Sequence, residues 1–265
     1  MSGVSARRWG DLKARALSAL VMLAVGALAL WLGGWAFAAL VLLVCGTMLW
    51  ELGQMTALPG SLPALALGAL GAAVLLAVMQ IGGALATGLL LVPALAGVVA
   101  PRRDRAVFLA YALLVMLTGY GLITLRAGHG VAVILWLLAV VIVSDVMGYF
   151  AGRLIGGPKF WPKVSPKKTW SGTVAGWLGA VVVGLGFMLA GQGGAALLWL
   201  SPLVAFAGQL GDIAESAIKR RAGAKDSSQL IPGHGGAMDR FDALAGAVVL
   251  VVALAHLVPL PVGMP

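Results

Sequence analysis

Cysteine is almost missing from this chain: Cys45 is the only one in 265 residues, and it lies inside an apolar run. No intrachain disulfide can form, and Cys45 reads as a small buried apolar side chain rather than a nucleophile or metal ligand. Charge is scarce as well, at 10% of residues, with nine acids against eighteen bases. The excess of +9 is not gathered into one basic stripe interleaved with aromatics, which excludes nucleic acid as the partner. There is no low-complexity linker, internal repeat or polar tail to mark a domain boundary.

What fills the chain is apolar. Hydrophobic residues make up 61%, against roughly 45–50% in soluble domains, and the mean hydropathy is +1.03. The predicted fold class is therefore all-α, a polytopic integral membrane helix bundle whose solvent is lipid. Apolar runs near the length needed to span a bilayer cover Ala16–Leu32, Trp35–Trp50, Leu62–Gln80, Leu85–Ala100, Ala106–Thr124, Val131–Phe150, Gly172–Ala190, Ala195–Leu210 and Ala243–Val258, about nine transmembrane helices. Many of the 38 glycines fall within these runs, where small residues let helices approach closely.

Nine spans starting inside put seventeen of the eighteen bases on the cytoplasmic face, with Arg126 the exception. The N-terminal segment with Arg7, Arg8, Lys13 and Arg15 reads as a retained cytoplasmic start, and the C-terminus is expected on the opposite side. The location implied is a bacterial-type inner membrane, multi-pass, with the active site facing the cytoplasm. Roles divide at residue 130: residues 1–130 read as a transmembrane scaffold of about five spans, and residues 131–265 as the catalytic region.

Two polar clusters carry the chemistry. Residues 211–242 hold five of the nine acids, Asp212, Glu215, Asp226, Asp239 and Asp242. As helix, Asp212, Glu215, Ser216 and Lys219 fall at i, i+3, i+4 and i+7, so two carboxylates, a hydroxyl and an ammonium share one face suited to a metal and a phosphate. Residues 222–236, with Gly223, Pro232, Gly233, Gly235 and Gly236, break the helix and allow backbone N–H groups close to an anion. Asp239 and Asp242 follow at the start of the last apolar run. Four carboxylates at one bundle mouth repel one another without a cation, which points to Mg2+ held by Asp212 and Asp239, with Glu215 and Asp242 helping.

The other cluster is residues 144–172. Asp145 lies near the end of an apolar run, where an uncompensated carboxylate is costly, so a partner is expected. Lys167 and Lys168 offer two point charges, and Ser165 and Thr169 two hydroxyls, a composition suited to phosphate. Taken by itself such a loop also suits anionic headgroups. Trp161 and Trp170 read as interfacial anchors. The two clusters are expected on the same face and in one site.

The run Ser216, Lys219, Arg220, Lys225, Asp226, Pro232, His234, Gly235, Gly236, Asp239, Arg240 and Asp242, with Ser165–Pro166–Lys167–Lys168–Thr169–Trp170 and Gly172, resembles the signature of the phosphatidate cytidylyltransferases. Asp145 and Tyr149 match a further motif of that family, from which Val146 and Gly148 depart, as do Ala237 and Ala243 in the main signature. The resemblance covers roughly the C-terminal half. It implies transfer of a cytidylyl group from CTP to phosphatidic acid in the membrane, giving CDP-diacylglycerol. On that basis Asp212, Asp239, Lys167, Lys219 and His234 are the expected catalytic residues. Ser165, Lys168, Thr169, Ser216, Arg220, Lys225, Gly235, Gly236 and Arg240 are the expected phosphate-binding residues. A homodimer stays open. Two rivals also stay open: a CDP-alcohol phosphotransferase, whose aspartate-rich motif is absent, and a transporter, which would place its ionisable groups at the bilayer midplane rather than at one interface.

Overall fold

The structure is a computed structural model that describes residues 2–162 and 164–263, with the backbone alone at 2–14, 84 and 85. Expectations for the two chain ends and for Lys163 lie outside the described residues, and those for Arg7, Arg8 and Lys13 outside the described side chains. Helices α1 (Ser2–Leu32), α2 (Gly34–Met55), α3 (Ala64–Ile81), α4 (Gly83–Gly88), α5 (Val92–Val99) and α6 (Arg105–Leu154) come first. Strands β1 (Lys159–Trp161) and β2 (Ser165–Thr169) follow, then α7 (Trp170–Leu189), α8 (Leu197–Ala222) and α9 (Met238–Ala255).

Among the described residues six helices, α1, α2, α3, α6, α7 and α8, are long and apolar enough to cross a membrane, and the chain is a multi-pass membrane protein. The fourth expected span is divided into α4, a 3-10 turn at Leu89–Leu91 and α5. The fifth and sixth are joined in α6, whose 50 residues would run about 75 Å if straight. They are broken at Gly130, where φ is 74° and only glycine is unstrained. The last apolar helix carries Asp239, Arg240 and Asp242 in its first five residues, which shortens its apolar part. The polar loop also departs from all-α: β1 and β2 pair antiparallel, Lys159 opposite Thr169 and Trp161 opposite Ser165. Pro162 and Pro166 bar helix there, and the extended chain meets its own neighbour instead.

The chain forms two compact units, Met1–Ala112 with Ala224–Arg240 and Leu113–Gly223 with Phe241–Pro265. The division of roles expected at residue 130 is one of function and does not follow these limits.

In the first unit α2 packs on α3 through glycine. A Cβ at Gly68 would sit 2.6 Å from the Gly46 carbonyl oxygen, so the backbones meet where a side chain would part them. Phe108 fills the gap left by Gly97, and the buried Arg102 guanidinium lies 4.2 Å over its ring while donating to the Gly97, Gly53 and Thr56 oxygens. In the second unit Trp136 is fully buried with its Nε1–H on Ser201 Oγ at 3.0 Å. Cys45 is buried and free, as the sequence predicts.

Gly68→Ala is expected to lower stability by about 1–3 kcal/mol through overpacking, seen as a lower melting temperature in detergent. Gly26→Ala, which meets nothing within 4 Å, is the control and should leave the melting temperature unchanged.

Candidate active site

In the second unit the site is built by helix crossings at small residues. Helix α8 meets α9 where Gly208 faces the Ala243 carbonyl at 3.1 Å from a built Cβ, and where Gly211 lies against the Asp242 carbonyl oxygen and Gly246 against that of Ala207. At Gly211 and Gly246 no side chain fits, so the helices touch backbone to backbone there. That contact brings Asp212 and Glu215 of α8 to Asp242 of α9, with one ligand oxygen from each lying within 4.8 Å of the others. Helix α7 holds α8 from another side: Trp177 Nε1 donates to Gln209 Oε1 at 3.1 Å, and Gly176 leaves room for the Gln209 amide.

Lysines neutralise part of the cluster. Lys168, at the end of β2, reaches Asp212 Oδ2 at 2.5 Å and donates to the Gln209 carbonyl oxygen at 3.3 Å. Lys219 pairs with Glu215 at 2.6 Å, one turn along α8, and Glu215 is fully buried. The face of α8 expected from the spacing thus exists, with Ser216 Oγ placed 3.4 Å from Asp212 Oδ1. Asp242 stands just ahead of the apolar run of α9. Its partial burial and the neighbouring Asp212 carboxylate push its carboxyl up to about 7, against the opposing Ala243 N–H bond and the Lys219 charge.

Other predicted residues of this unit take different places. Thr169 is buried, and its hydroxyl caps α7 by accepting from Gly172 N at 3.2 Å, a local structural role rather than an open phosphate contact. Lys167 and Arg220 are exposed, and Ser165 is half-buried in β2. Asp145 is exposed and has no hydrogen-bond or ion-pair partner among the described residues, so the expected direct partner is corrected. It lies only within electrostatic reach of Lys168 and Asp212.

The glycine loop belongs to the first unit, and its organiser is a residue the sequence reading passed over. Glu51, at the end of α2, is fully buried. Its Oε1 accepts from Ser228 Oγ at 2.6 Å and Ala237 N at 2.9 Å, and its Oε2 from Ser227 Oγ at 3.1 Å and Met238 N at 2.7 Å. The N–H groups of Ala237 and Met238 open α9 and would otherwise lack acceptors. Asp239 completes the arrangement from inside the helix: its Oδ2 accepts from Gly236 N at 2.8 Å and Ser227 N at 2.9 Å, a reach back of the capping-box kind, and lies 2.9 Å from Ser227 Oγ, whose single proton it shares with Glu51 Oε2. The sequence paired Asp239 with Asp212, but the group of carboxylates that closes in the second unit is Asp212, Glu215 and Asp242.

Gly236 has no room for a Cβ, which would strike Ser227 Oγ and Glu51 Oε1, and Gly235 has φ 81°. His234 Nδ1 lies 2.8 Å from Ser18 Oγ of α1, and its carbonyl accepts from Arg240 Nε at 2.8 Å. Lys225 is exposed. The one sequence signal for Glu51 was an acid ending an apolar run with no base beside it.

The site is thus a carboxylate cluster flanked by two ammonium groups. The sequence profile described as the Cytidylyltransferase family matches residues 13–258, and the chain belongs to that family. A phosphatidate cytidylyltransferase of Brucella abortus biovar 1 (strain 9-941) is 47% identical over 124 residues, 46% of each chain. One of Haemophilus influenzae is 40% identical over 127 residues, 45% of this chain and 44% of the relative. One of Helicobacter pylori is 42% identical over 117 residues, 43% of this chain and 44% of the relative. The chain thus spans about half the length of the curated relatives it matches.

Removing one partner of a buried ion pair leaves the other charge uncompensated. Lys219→Met is expected to destabilise by about 3 kcal/mol, whereas Arg220→Met on the exposed face should stay within ~0.5 kcal/mol. Thermal denaturation of the two purified variants checks the difference.

Proposed function

We propose that the chain transfers a cytidylyl group from CTP to phosphatidic acid at the cytoplasmic face of a bacterial inner membrane, through a bundle of about nine spans. The observation that carries this is the Asp212–Glu215–Asp242 cluster with Lys168 and Lys219 paired into it; the family and the names of the relatives support the substrates. A phosphatidate oxygen attacks the α-phosphorus of CTP, a P–O bond forms, the bond to the β-phosphate bridging oxygen breaks, and pyrophosphate leaves. No oxidant or further reactant is needed.

The donor set fits a hard cation: three carboxylates close together, with no sulfur or imidazole among them. Asp212, Glu215 and Asp242 would hold Mg2+, and we keep Asp239 as a fourth ligand to be tested. Bound there, Mg2+ would offset the charge of the triphosphate. Lys168 and Lys219, with Lys167, Arg220 and Ser216 beside them in sequence, bind phosphate oxygens as point charges and donors. From the glycine loop, Lys225, His234, Gly235 and Arg240 serve the CTP phosphates; the attacking phosphate is already anionic, so His234 binds rather than removes a proton. Positioning and charge neutralisation supply most of the rate.

CTP labelled at the α-phosphate should label lipid in vesicles containing phosphatidate, with pyrophosphate released, no ion gradient required, and chelation stopping the reaction. Asp212→Asn should fold and lose roughly 10²–10³-fold in kcat; a folded variant turning over at the normal rate would remove the cluster from the chemistry. Asp239→Asn is expected to raise the Mg2+ needed for half activity about tenfold. An unchanged Mg2+ dependence with a raised KM for CTP would limit Asp239 to shaping the loop.

The raised Asp242 value sets a pH test with opposite signs. Without cation, the protonated carboxyl is favoured in the fold, so its contribution to stability is present below about pH 4 and is lost as pH rises through about 7. Cation binding needs the carboxylate, so Mg2+ affinity should fall about tenfold for each unit below pH 7. Melting temperatures at pH 6 and pH 8, with and without Mg2+, should show the cation stabilising more at pH 8; equal stabilisation at both would overturn the assignment of Asp242.

A further inference from the structure

Glu51 forms no ion pair among the described residues, yet it is fully buried and has four hydrogen-bond donors about it, the Ser227 hydroxyl being shared with Asp239. A buried charge is costly unless its surroundings use it. Here the donors are two serine hydroxyls on the loop and the opening N–H groups of α9, whose partial positive charge favours an anion. All four lie in or beside the segment Ala224–Arg240, which Glu51 joins to α2 across 176 to 187 residues of sequence. Gly236 is pressed against Glu51 Oε1 and Ser227 Oγ, so the loop is closed around the carboxylate.

We propose that Glu51 is a positioning residue for nucleotide binding: it fixes the loop backbone in the shape in which Lys225, His234 and Gly235 meet the phosphates of CTP. This rests on the cytidylyl-transfer reading above. Glu51 touches no reacting atom; it acts through the loop. The two oxygens each take one backbone N–H, Ala237 on Oε1 and Met238 on Oε2. Glutamine cannot replace both, since whichever oxygen becomes an amide nitrogen then faces an N–H donor. The serine hydroxyls can turn to adapt, but the backbone groups cannot. Two acceptor oxygens, not merely the size of the side chain, are therefore what the loop requires.

Glu51→Gln is expected to raise KM for CTP at least tenfold, to lower kcat less than threefold, and to leave KM for phosphatidate unchanged. Merely weakening the fold would reduce the active fraction, so kcat would fall with KM for CTP constant; that pattern, or wild-type kinetics in a folded Glu51→Gln protein, would overturn the proposal. If Glu51→Gln does not fold, Ser228→Ala replaces it. It removes one donor from Oε1 and leaves both backbone bonds, so KM for CTP should rise two- to threefold, and an unchanged KM counts against the proposal. If the wild type shows no cytidylyl transfer, the functional reading fails by itself. Amide exchange then tests the clamp alone: the Ala237 and Met238 amides should be protected in the wild type and should lose protection at least tenfold in Glu51→Gln, or detectably in Ser228→Ala. Unprotected amides in the wild type, or no selective loss in the variant, would refute it.

Discussion

Backbone contact between helices at glycine is the constraint on which the rest of this structure depends. Lipid offers no hydrophobic drive to press helices together, so close packing and polar contacts must do it. Gly46 and Gly68 seat α2 on α3; Gly148 and Gly172 bring α6 against the start of α7; Gly208, Gly211 and Gly246 seat α8 on α9. The last crossing is also the functional one. Asp212 follows Gly211 directly, and Asp242 supplies the carbonyl that Gly211 touches, so the distance between helices sets the distance between carboxylates. A methyl group at Gly211 would separate the ligands by the same movement that relieved the clash.

Around that crossing, charge is arranged so that each buried carboxylate has its own answer. Glu215 and Asp212 are met by Lys219 and Lys168, one from the same helix and one from the strand β2. Asp242 accepts from the Ala243 N–H, while burial and the neighbouring Asp212 carboxylate raise its proton affinity. In the first unit, Glu51 and Asp239 accept from backbone N–H groups and serine hydroxyls at a helix start. The same side-chain type thus does two jobs. Lysine-paired carboxylates can exchange their partner for a cation or release an ammonium to a phosphate. Glu51, whose two oxygens each accept a backbone N–H, is fixed and shapes the chain.

This division separates residues that the signature lists together in one run. Asp239 and Asp242 are three apart in sequence and look equivalent there, but one caps the helix it opens and the other joins α8. Thr169 and Lys168 are adjacent in the loop, yet the hydroxyl caps α7 while the ammonium reaches Asp212. Capping is a local demand of any helix start, and it draws in whichever Ser, Thr or Asp stands at the right offset.

The sequence by itself determined that the chain is built of apolar membrane helices, since apolar runs of span length have few other stable solutions, but not their limits, as the divided fourth run and the joined fifth and sixth show. It determined too which face of α8 carries Asp212, Glu215, Ser216 and Lys219, because helical period places them. It also marked the break at residues 222–236, where glycine and proline end any helix. Only the tertiary structure decided which carboxylates meet. That depends on helix crossings, and a crossing is fixed by pairs of small residues far apart in the chain, such as Gly211 and Gly246. It alone disclosed the hairpin of β1 and β2, where strand pairing follows from exclusion of helix rather than from any alternation of residues. The role of Glu51 was hidden for the same reason: its four donors stand 176 to 187 residues away, and nothing local to an acid at the end of α2 says that a loop will close around it.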